Sequence, residues 1–303
     1  MLFVCAVNYM SVGHKDKLIG FIGQGWIGKN YADDFEQRGF SVVRYSLDPA
    51  HAENRDRIAA CDIVFIAVPT PTARTGFDDG AVVSALSLVG KGKIAVIKST
   101  VLPHTTDRLQ ALYPEVFVIH SPEFLTAATA AYDASHPDRN IIGVTKKSAH
   151  CAEEVLAVLP SAPYNRVVDA ATAALIKYGG NCSFYIRLLF INTLFNLCKT
   201  YGVKYDAVRE ALAADPRIGG AFLEVMHQGG RGAGGLCFVK DFAAYRALYE
   251  GAVGDDEAVA WLRAAENFNI ALLADSNKSL DLMAQVYGPD YEARNPPEHA
   301  VSP

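Results

Sequence analysis

Cys237 is the residue whose surroundings in the sequence are most suggestive of chemistry. It follows the run Gly232-Ala233-Gly234-Gly235-Leu236 and precedes a helix predicted over residues 238–249. Glycines let a backbone approach a ligand closely, and a helix N-terminus lowers the pKa of a thiol. The position therefore predicts a nucleophile, with Asp241 one turn later on the same face. The alternative is a buried structural cysteine, the usual fate of a lone cysteine.

A second glycine run lies near the start of the chain. It directly follows an apolar strand at residues 17–22 and precedes a helical stretch that reaches residue 38. In this setting the first glycine of GxGxxG makes the turn, the second admits a pyrophosphate and the third lets helix and strand pack. The alternative is an ordinary glycine-rich turn. The predicted dinucleotide-binding residues here are Gly23, Gln24, Gly25, Trp26, Ile27 and Gly28.

The next strand, at residues 40–45, bears on the choice of dinucleotide. Sheets that prefer NAD usually end this strand with an acidic residue that binds the ribose hydroxyls. Here Ser46 occupies that position, with Arg44 two residues before it and Asp48 two residues after it. A serine beside an arginine can tolerate a 2′-phosphate. We expect NAD as the cofactor, and NADP is not excluded.

The elements that would position these residues follow an α/β pattern. Apolar runs at residues 62–68, 93–97 and 116–119 are separated by segments of helix length. Such alternation predicts a doubly wound, mostly parallel Rossmann-type sheet, with ligands beyond the carboxyl ends of its strands. From about residue 168 the pattern is helical. We predict a dinucleotide-binding domain over 1–165 and a helical domain over 166–303.

The longest predicted helix covers residues 172–201 and is mostly apolar. Lys177 and Asn181 lie four residues apart on it and need partners if they are buried. The same helix carries more apolar residues than one subunit can bury, which predicts a homodimer.

Composition excludes several other classes of protein. The net charge is -5 and no run rich in lysine or arginine is present, so no nucleic-acid or membrane partner is expected. The six cysteines form no CxxC pair, so neither a zinc site nor a disulfide framework is predicted. A cytoplasmic protein without metal fits this pattern. The apolar residues 1–7 are too short to span a membrane and suggest an extra strand or a leader.

Taken in order, the motifs resemble the UDP-glucose/GDP-mannose dehydrogenase family. The resemblance covers roughly residues 17–250. It rests on the two glycine runs and on six further motifs: Val68-Pro69-Thr70-Pro71, Lys98-Ser99-Thr100-Val101, Ser121-Pro122-Glu123-Phe124-Leu125, Pro137 to Gly143, Lys177-Tyr178 with Asn181, and Asp215 to Gly219. It implies oxidation of a primary alcohol of a sugar or nucleotide sugar to a carboxylate, with NAD as the oxidant and a thiohemiacetal and a thioester as successive intermediates.

The resemblance also implies roles for individual residues. Cys237 would be the nucleophile, Asp241 would hold the base or a water, and Glu123 would activate the hydrolytic water. Lys177 and Asn181 would stabilise the oxyanion, and Thr100 would be a further catalytic residue. Val68, Pro69, Thr70 and Thr100 would join the cofactor site. The implied substrate-binding residues are Phe124, Leu125, Arg217, Gly234 and Gly235.

The sequence departs from the family pattern in several places. Ala127 and Val239 replace a second glutamate and a proline, and the segment from Asp48 to Ala60 is short. Only about fifty residues follow the cysteine helix, so a C-terminal nucleotide-binding domain is expected to be missing. Two alternatives to an active enzyme therefore stay open: a catalytically silent dinucleotide-binding relative, or one half of a split dehydrogenase.

Overall fold

The computed structural model describes residues 15–291, and the chain divides into two compact units. The first unit contains the described residues up to Thr70 together with Asp79–Lys177. The second unit contains Pro71–Asp78 and the described residues from Tyr178 onward. The apolar opening at residues 1–7 and the stretch at residues 295–298 lie outside the described residues.

A seven-stranded sheet forms the centre of the first unit. Its strands are β1 (Leu18–Ile22), β2 (Ser41–Tyr45), β3 (Ile63–Ile66), β6 (Ile94–Ile97), β7 (Phe117–His120), β8 (Arg139–Val144) and β9 (Tyr164–Asp169). The order across the sheet is β2-β1-β3-β6-β7-β8-β9. All neighbouring strands are parallel except β7 and β8, which pair antiparallel.

The chain order creates a crevice at the carboxyl end of β1. Strand β1 pairs with β2 on one side and with β3 on the other, so successive connections leave β1 in opposite directions. Ligands bind at such a reversal in doubly wound sheets. The glycine run at 23–28 begins at this point, as predicted.

Helices cover both faces of the sheet because its central strands are apolar throughout. Strands β3 and β6 are buried at every position. The core includes Phe21, Phe35 and Phe65, whose rings contact one another with centroids 5.1 to 5.3 Å apart. The helices are α1 (Trp26–Gln37), α2 (Pro49–Ala52), α3 (Gly80–Leu86), α4 (Thr105–Leu112), α5 (Ala130–Ser135) and α6 (Ala152–Val158), with a 3-10 turn at Arg55–Ala60.

The second unit is built mainly of helices. Tyr185 and Phe242 stack in its core with ring centroids 3.9 Å apart. A short hairpin, β4 (Thr72–Ala73) with β5 (Gly76–Phe77), also belongs to this unit and was not predicted. The helices are α7 (Ala170–Thr200), which begins in the first unit, α8 (Tyr205–Ala214), α9 (Gly235–Ala252), α10 (Asp256–Asp275) and α11 (Leu280–Tyr287).

The predicted fold class, a Rossmann-type sheet followed by helices, is confirmed. In the described chain after Asp169 the regular elements are helices, apart from one isolated β-bridge between His227 and Gly230. The division between the units differs from the predicted boundary at residue 165. That position falls inside β9, which pairs along its length with β8, so the sheet continues to Asp169. The compact units divide after Lys177.

Candidate active site

The glycine turn after β1 has the geometry that its three glycines predict. Gly23 has a φ of +91°, and a Cβ there would lie 2.2 Å from the carbonyl oxygen of Ala67. A Cβ on Gly28 would lie 1.8 Å from the carbonyl oxygen of Gly23. Gly25 instead faces open space, and no side chain caps the start of α1. A side chain would therefore clash with the backbone at Gly23 and Gly28, and the uncapped helix start leaves the amide groups of Trp26 and Ile27 available to an anion.

The other predicted cofactor residues surround this turn. Gln24 donates to the carbonyl oxygen of Gly23 at 3.2 Å. Ser46 follows β2, and the Gly23 amide donates to the carbonyl of the preceding Tyr45 at 2.8 Å. Val68, Pro69 and Thr70 follow β3 on the other side of β1. The Thr70 hydroxyl donates to the carbonyl oxygen of Thr100 at 2.8 Å, so the structure brings the ends of β3 and β6 together.

Arg44 is not arranged to receive a 2′-phosphate. Its guanidinium contacts Asp33 at 2.7 Å and Glu36 at 2.8 Å, and both carboxylates lie on α1. The side chain is only 15% exposed. The Asp48 carboxylate accepts from the Ala50 amide and caps α2. The buried hydroxyl oxygen of Ser46 has no hydrogen-bond partner in the part of the chain that the structure describes. Two carboxylates beside Arg44 favour NAD over its phosphorylated form.

Glu123 and Lys177 form a buried ion pair within the first unit. The Lys177 ammonium donates to Glu123 Oε1 at 3.0 Å and to the Glu123 carbonyl oxygen at 2.7 Å. The Leu125 amide donates to Glu123 Oε2 at 2.7 Å, so both carboxylate oxygens are fixed. The aromatic face of Phe124 is near Lys177 and lies 3.9 Å from the Arg139 guanidinium. A buried charge requires such pairing, which explains why a lysine can lie inside a largely apolar helix.

Two further ionisable groups of the first unit are buried and were not singled out from sequence. Lys98 follows β6 directly, and burial lowers its pKa to about 7 although Glu123 acts in the opposite direction. His120 ends β7, and burial together with Lys98 lowers its pKa to about 3, so the imidazole stays neutral. Lys98 opens the Lys98-Ser99-Thr100-Val101 motif, but the sequence suggested no role for it, and His120 follows directly on the predicted strand at residues 116–119.

Cys237 lies in the first turn of α9, in the second unit. The helix begins at Gly235, three residues before the predicted start, and the cysteine is exposed. Gly235 has a φ of +82°, and a Cβ on Gly234 would lie 2.6 Å from the Lys278 side chain. The positive φ therefore favours glycine at position 235, and the close approach of the Lys278 side chain favours it at position 234. The exposed position does not match the alternative of a buried structural cysteine.

Side chains from the end of α10 and the residues after it hold the glycine loop that leads to Cys237. Asn269 accepts from the Ala233 amide at 2.7 Å and donates to its carbonyl oxygen at 3.0 Å. The buried Lys278 ammonium donates to the carbonyl oxygen of Gly232 at 3.0 Å. The Gly235 amide donates to the Ser279 hydroxyl at 3.2 Å. These fixing residues were not predicted, because polar side chains far along the chain give no local signal.

Asn181 and Asp241 meet within the second unit. The Asn181 amide donates to one oxygen of Asp241 at 2.6 Å, and the Lys240 ammonium contacts the other at 2.5 Å. Asp241 is 2% exposed and lies on α9 one turn after Cys237. The Asp241 carboxylate is thus fixed through both of its oxygens.

Arg217 is the implied substrate residue for which the structure shows a different setting. Its guanidinium contacts Asp215 at 2.7 Å and its side chain is 88% exposed. A metal site is not evident either: among residues 15–291, no group of three or more His, Cys, Asp or Glu side chains could bind an ion. In the same described range, no helix combines the length and apolar character needed to cross a membrane.

Comparison with known proteins shows which family the chain is similar to. Residues 49–159 match the NAD binding domain of the UDP-glucose/GDP-mannose dehydrogenase family, and residues 171–270 match the central domain of that family. A UDP-glucose 6-dehydrogenase of Bacillus subtilis, YwqF, is 32% identical over 244 residues, which cover 76% of this chain and 54% of the relative. The UDP-glucose 6-dehydrogenase AglM of Haloferax volcanii is 30% identical, with coverage of 75% and 64%.

A solved structure from the same family is also similar to this chain. The UDP-glucose dehydrogenase of Pyrobaculum islandicum superposes with a TM-score of 0.75 at 28% identity, covering 91% of this chain and 72% of that chain. This chain spans about half to two thirds of the length of the curated relatives that it matches. The match to the NAD binding domain begins after the glycine turn, and the match to the central domain includes the cysteine helix at Gly235–Ala252. The chain belongs to the UDP-glucose/GDP-mannose dehydrogenase family and carries the NAD-binding domain of that family.

Proposed function

We propose that this protein oxidises the primary alcohol of a nucleotide-linked sugar to a carboxylate, with NAD as oxidant and Cys237 as covalent nucleophile. The observation that carries the proposal is the position of Cys237 in the first turn of α9, after a glycine loop and one turn before a fixed carboxylate. Amide groups at a helix start stabilise a thiolate, and a ligand can reach a thiol that is exposed.

The glycine turn after β1 fits NAD. The amides of Trp26 and Ile27 would hold the pyrophosphate, and Ser46 lies at the strand end where the adenosine ribose is bound in such sheets. When bound, NAD supplies the acceptor for the hydride lost in each of the two oxidations. The exposed Gly25 allows the closest approach, because a side chain there would occupy the space of the phosphates.

Each protein group has a defined task in this reaction. Asp241, or a water that it holds, accepts the proton of the alcohol as the first hydride leaves its carbon. The Cys237 thiolate then forms a C–S bond to the aldehyde carbon and gives a thiohemiacetal. Asn181 and Lys177 donate hydrogen bonds to its oxygen. Loss of the second hydride and of the hydroxyl proton leaves a thioester.

Hydrolysis completes the sequence. Glu123 takes a proton from the attacking water, the C–S bond breaks, and the thiolate of Cys237 is regenerated as the carboxylate leaves. The fixed position of the Glu123 carboxylate, between the Leu125 amide and Lys177, supports this assignment.

The test is NADH formation with a panel of UDP-sugars, GDP-sugars and the corresponding free sugars. We expect turnover with a nucleotide sugar, two NADH for each carboxylate formed, and loss of product in Cys237→Ala. Trp26 lies in the proposed cofactor site, so NAD binding measured by tryptophan fluorescence, with Trp26→Phe as control, shows whether each variant still binds the cofactor. NAD binding without turnover on the whole panel would contradict the proposal and favour a catalytically silent relative.

A further inference from the structure

The buried ion pair of the first unit has a second lysine beside it. Lys98 is 3% exposed, and its ammonium lies 3.3 Å from the Ser121 hydroxyl and 4.5 Å from the centre of the Tyr31 ring. We call Lys98, Ser121, Glu123 and Lys177 the buried lysine cluster. It contains two amines and one carboxylate, so its charge cannot be balanced when both amines are protonated.

The two lysines of the buried lysine cluster are bonded differently. Lys177 makes two hydrogen bonds to Glu123, one to the side chain and one to the backbone. Lys98 has three donors when protonated, and its one hydrogen bond in the described range 15–291 is the bond to Ser121. In the same range, no carboxylate oxygen lies within 4.0 Å of its ammonium. An ammonium so placed has lost water without gaining an equivalent partner, which favours the neutral amine.

We propose that Lys98 is a positioning residue for hydrolysis, and that loss of its proton makes Glu123 basic enough to activate water. This inference rests on the proposed function, in which Glu123 takes the proton of the hydrolytic water. A second cation near a carboxylate stabilises its ionised form and so weakens it as a base. When Lys98 is neutral, Lys177 is the one ammonium group of the buried lysine cluster that stabilises the ionised Glu123 carboxylate. When Lys98 is protonated, both lysines stabilise this carboxylate, and proton transfer from water to Glu123 becomes slower.

The groups that face Lys98 from other elements support this assignment. Tyr31 on α1 is neutral because burial raises the pKa of its hydroxyl. His120 at the end of β7 is neutral because burial lowers its pKa to about 3. Glu123 favours the protonated amine of Lys98, and Lys177 on α7 opposes it. Burial outweighs both and lowers the pKa of Lys98 to about 7, so its charge changes near neutral pH.

The first experiment needs no substrate. Lysine labelled with 13C at the ε carbon is incorporated into the full chain, and the Lys98 signal is identified by its loss in Lys98→Arg. We expect this signal to titrate near neutral pH, and Glu123→Gln to move the titration to lower pH because the carboxylate that favours the protonated amine is gone. A Lys98 signal that titrates near 10.5, or one that Glu123→Gln leaves unmoved, would overturn the inference.

The second experiment follows the decay of the Cys237 thioester in a single turnover as a function of pH. In the unmodified protein the rate is expected to fall as the pH drops below neutrality, toward the slower rate of the form in which Lys98 is protonated. Lys98→Met, which carries no charge, should remove that fall, whereas Lys98→Arg, which is always charged, should slow decay at every pH. The control Lys93→Met changes a lysine at the other end of β6. In this variant the rate of thioester decay should still fall below neutral pH.

Both Lys98 variants giving the same pH-independent loss would mean a purely structural role and would overturn the inference. If no thioester forms with any substrate, the proposed function fails. The titration then decides separately whether Lys98 and Glu123 share a proton equilibrium.

Discussion

Lys98 also determines how the stability of the first unit depends on pH. The pKa of Lys98 is about 7 in the folded protein, compared with the ordinary lysine value of 10.5 in the unfolded chain. Between these two pH values the unfolded chain therefore binds more protons than the folded protein. The free energy of unfolding therefore increases with pH through this window, with a slope of at most about 1.4 kcal/mol per pH unit from this group. The destabilisation by Lys98 is fully present below about pH 7 and disappears above 10.5.

Replacing Lys98 by methionine should remove this slope. We expect Lys98→Met to raise the free energy of urea unfolding at pH 7 and to have progressively less effect as the pH approaches 10. The control Lys93→Met removes a half-buried lysine that contacts Asp62 and should leave the slope between pH 7 and 10 in place. An unchanged slope in Lys98→Met would show that the amine is protonated in the folded protein throughout this range.

Arg44 gives the prediction on cofactor choice. Ser46 alone predicts weak discrimination between NAD and NADP, but Asp33 and Glu36 bind the arginine that would receive the 2′-phosphate. We now expect NAD to bind at least about tenfold more tightly, equivalent to about 1.4 kcal/mol. Calorimetric titration with both cofactors measures the ratio. The double variant Asp33→Asn, Glu36→Gln should reduce it, and equal affinities in the unmodified chain would contradict this reading.

At the residue scale, the structure pairs several of the residues that the sequence motifs contain, but the burial of Lys98 was not predicted. The pairs Glu123 with Lys177 and Asn181 with Asp241 consist of residues that motifs had singled out. Lys98 was part of a quoted motif but received no role, because a lysine at a strand end usually reaches solvent. Its burial depends on Tyr31 and Ser121, which lie far from it in sequence.

At the scale of elements, the glycine loop before α9 depends on α10. Asn269 bonds both backbone groups of Ala233, so Asn269→Leu leaves them buried without partners and should cost about 1–3 kcal/mol. We expect Cys237 to be alkylated more slowly in this variant, because the helix start that stabilises its thiolate is loosened. Peptide mass spectrometry after timed treatment with iodoacetamide gives the rate.

The matched control for this loop is Asn140→Leu. Asn140 is also buried, and it donates to the Pro160 carbonyl oxygen and to Asn165 in the first unit. It should lower stability by a similar amount without changing the alkylation rate of Cys237. Equal slowing in both variants would mean that overall destabilisation, and not the loop, controls the reactivity of the thiol.

The elements that sequence failed to predict, or placed inaccurately, differ in the physical cause. Strand β9 is mostly exposed and lies at the sheet edge, so it lacks the continuous apolar run by which the central strands were found. Strand β8 was noticed only as a motif, and its pairing with β7 and β9 arises from tertiary contacts. The start of α9 was placed too late because glycine disfavours helix, although Gly235 is its first residue.

At the scale of the whole molecule, helix α7 predicts self-association. Leu175, Phe190 and Leu197 on this helix are 51%, 62% and 55% exposed, and the adjoining Tyr201 is 78% exposed. Such apolar exposure on one long helix is typical of an interface between copies. We expect a dimer that buries on the order of 2,000 Å².

Light scattering coupled to size exclusion tests the dimer. Leu197→Glu should shift the protein toward monomer, since a carboxylate would be buried at the interface. Leu112→Glu is the control, because Leu112 on α4 is equally exposed at 55% but lies outside α7. A monomeric unmodified protein at micromolar concentration would contradict the prediction, as would dissociation by both variants.

The central claim concerns the covalent bond between Cys237 and the substrate carbon. Intact-protein mass spectrometry of the Glu123→Gln variant, mixed with NAD and a nucleotide sugar, tests it most directly. We expect an acyl adduct that maps to Cys237, persists because hydrolysis is slowed, and is absent in Cys237→Ala. Formation of the carboxylate product by Cys237→Ala at the unmodified rate, with no adduct in Glu123→Gln, would contradict it.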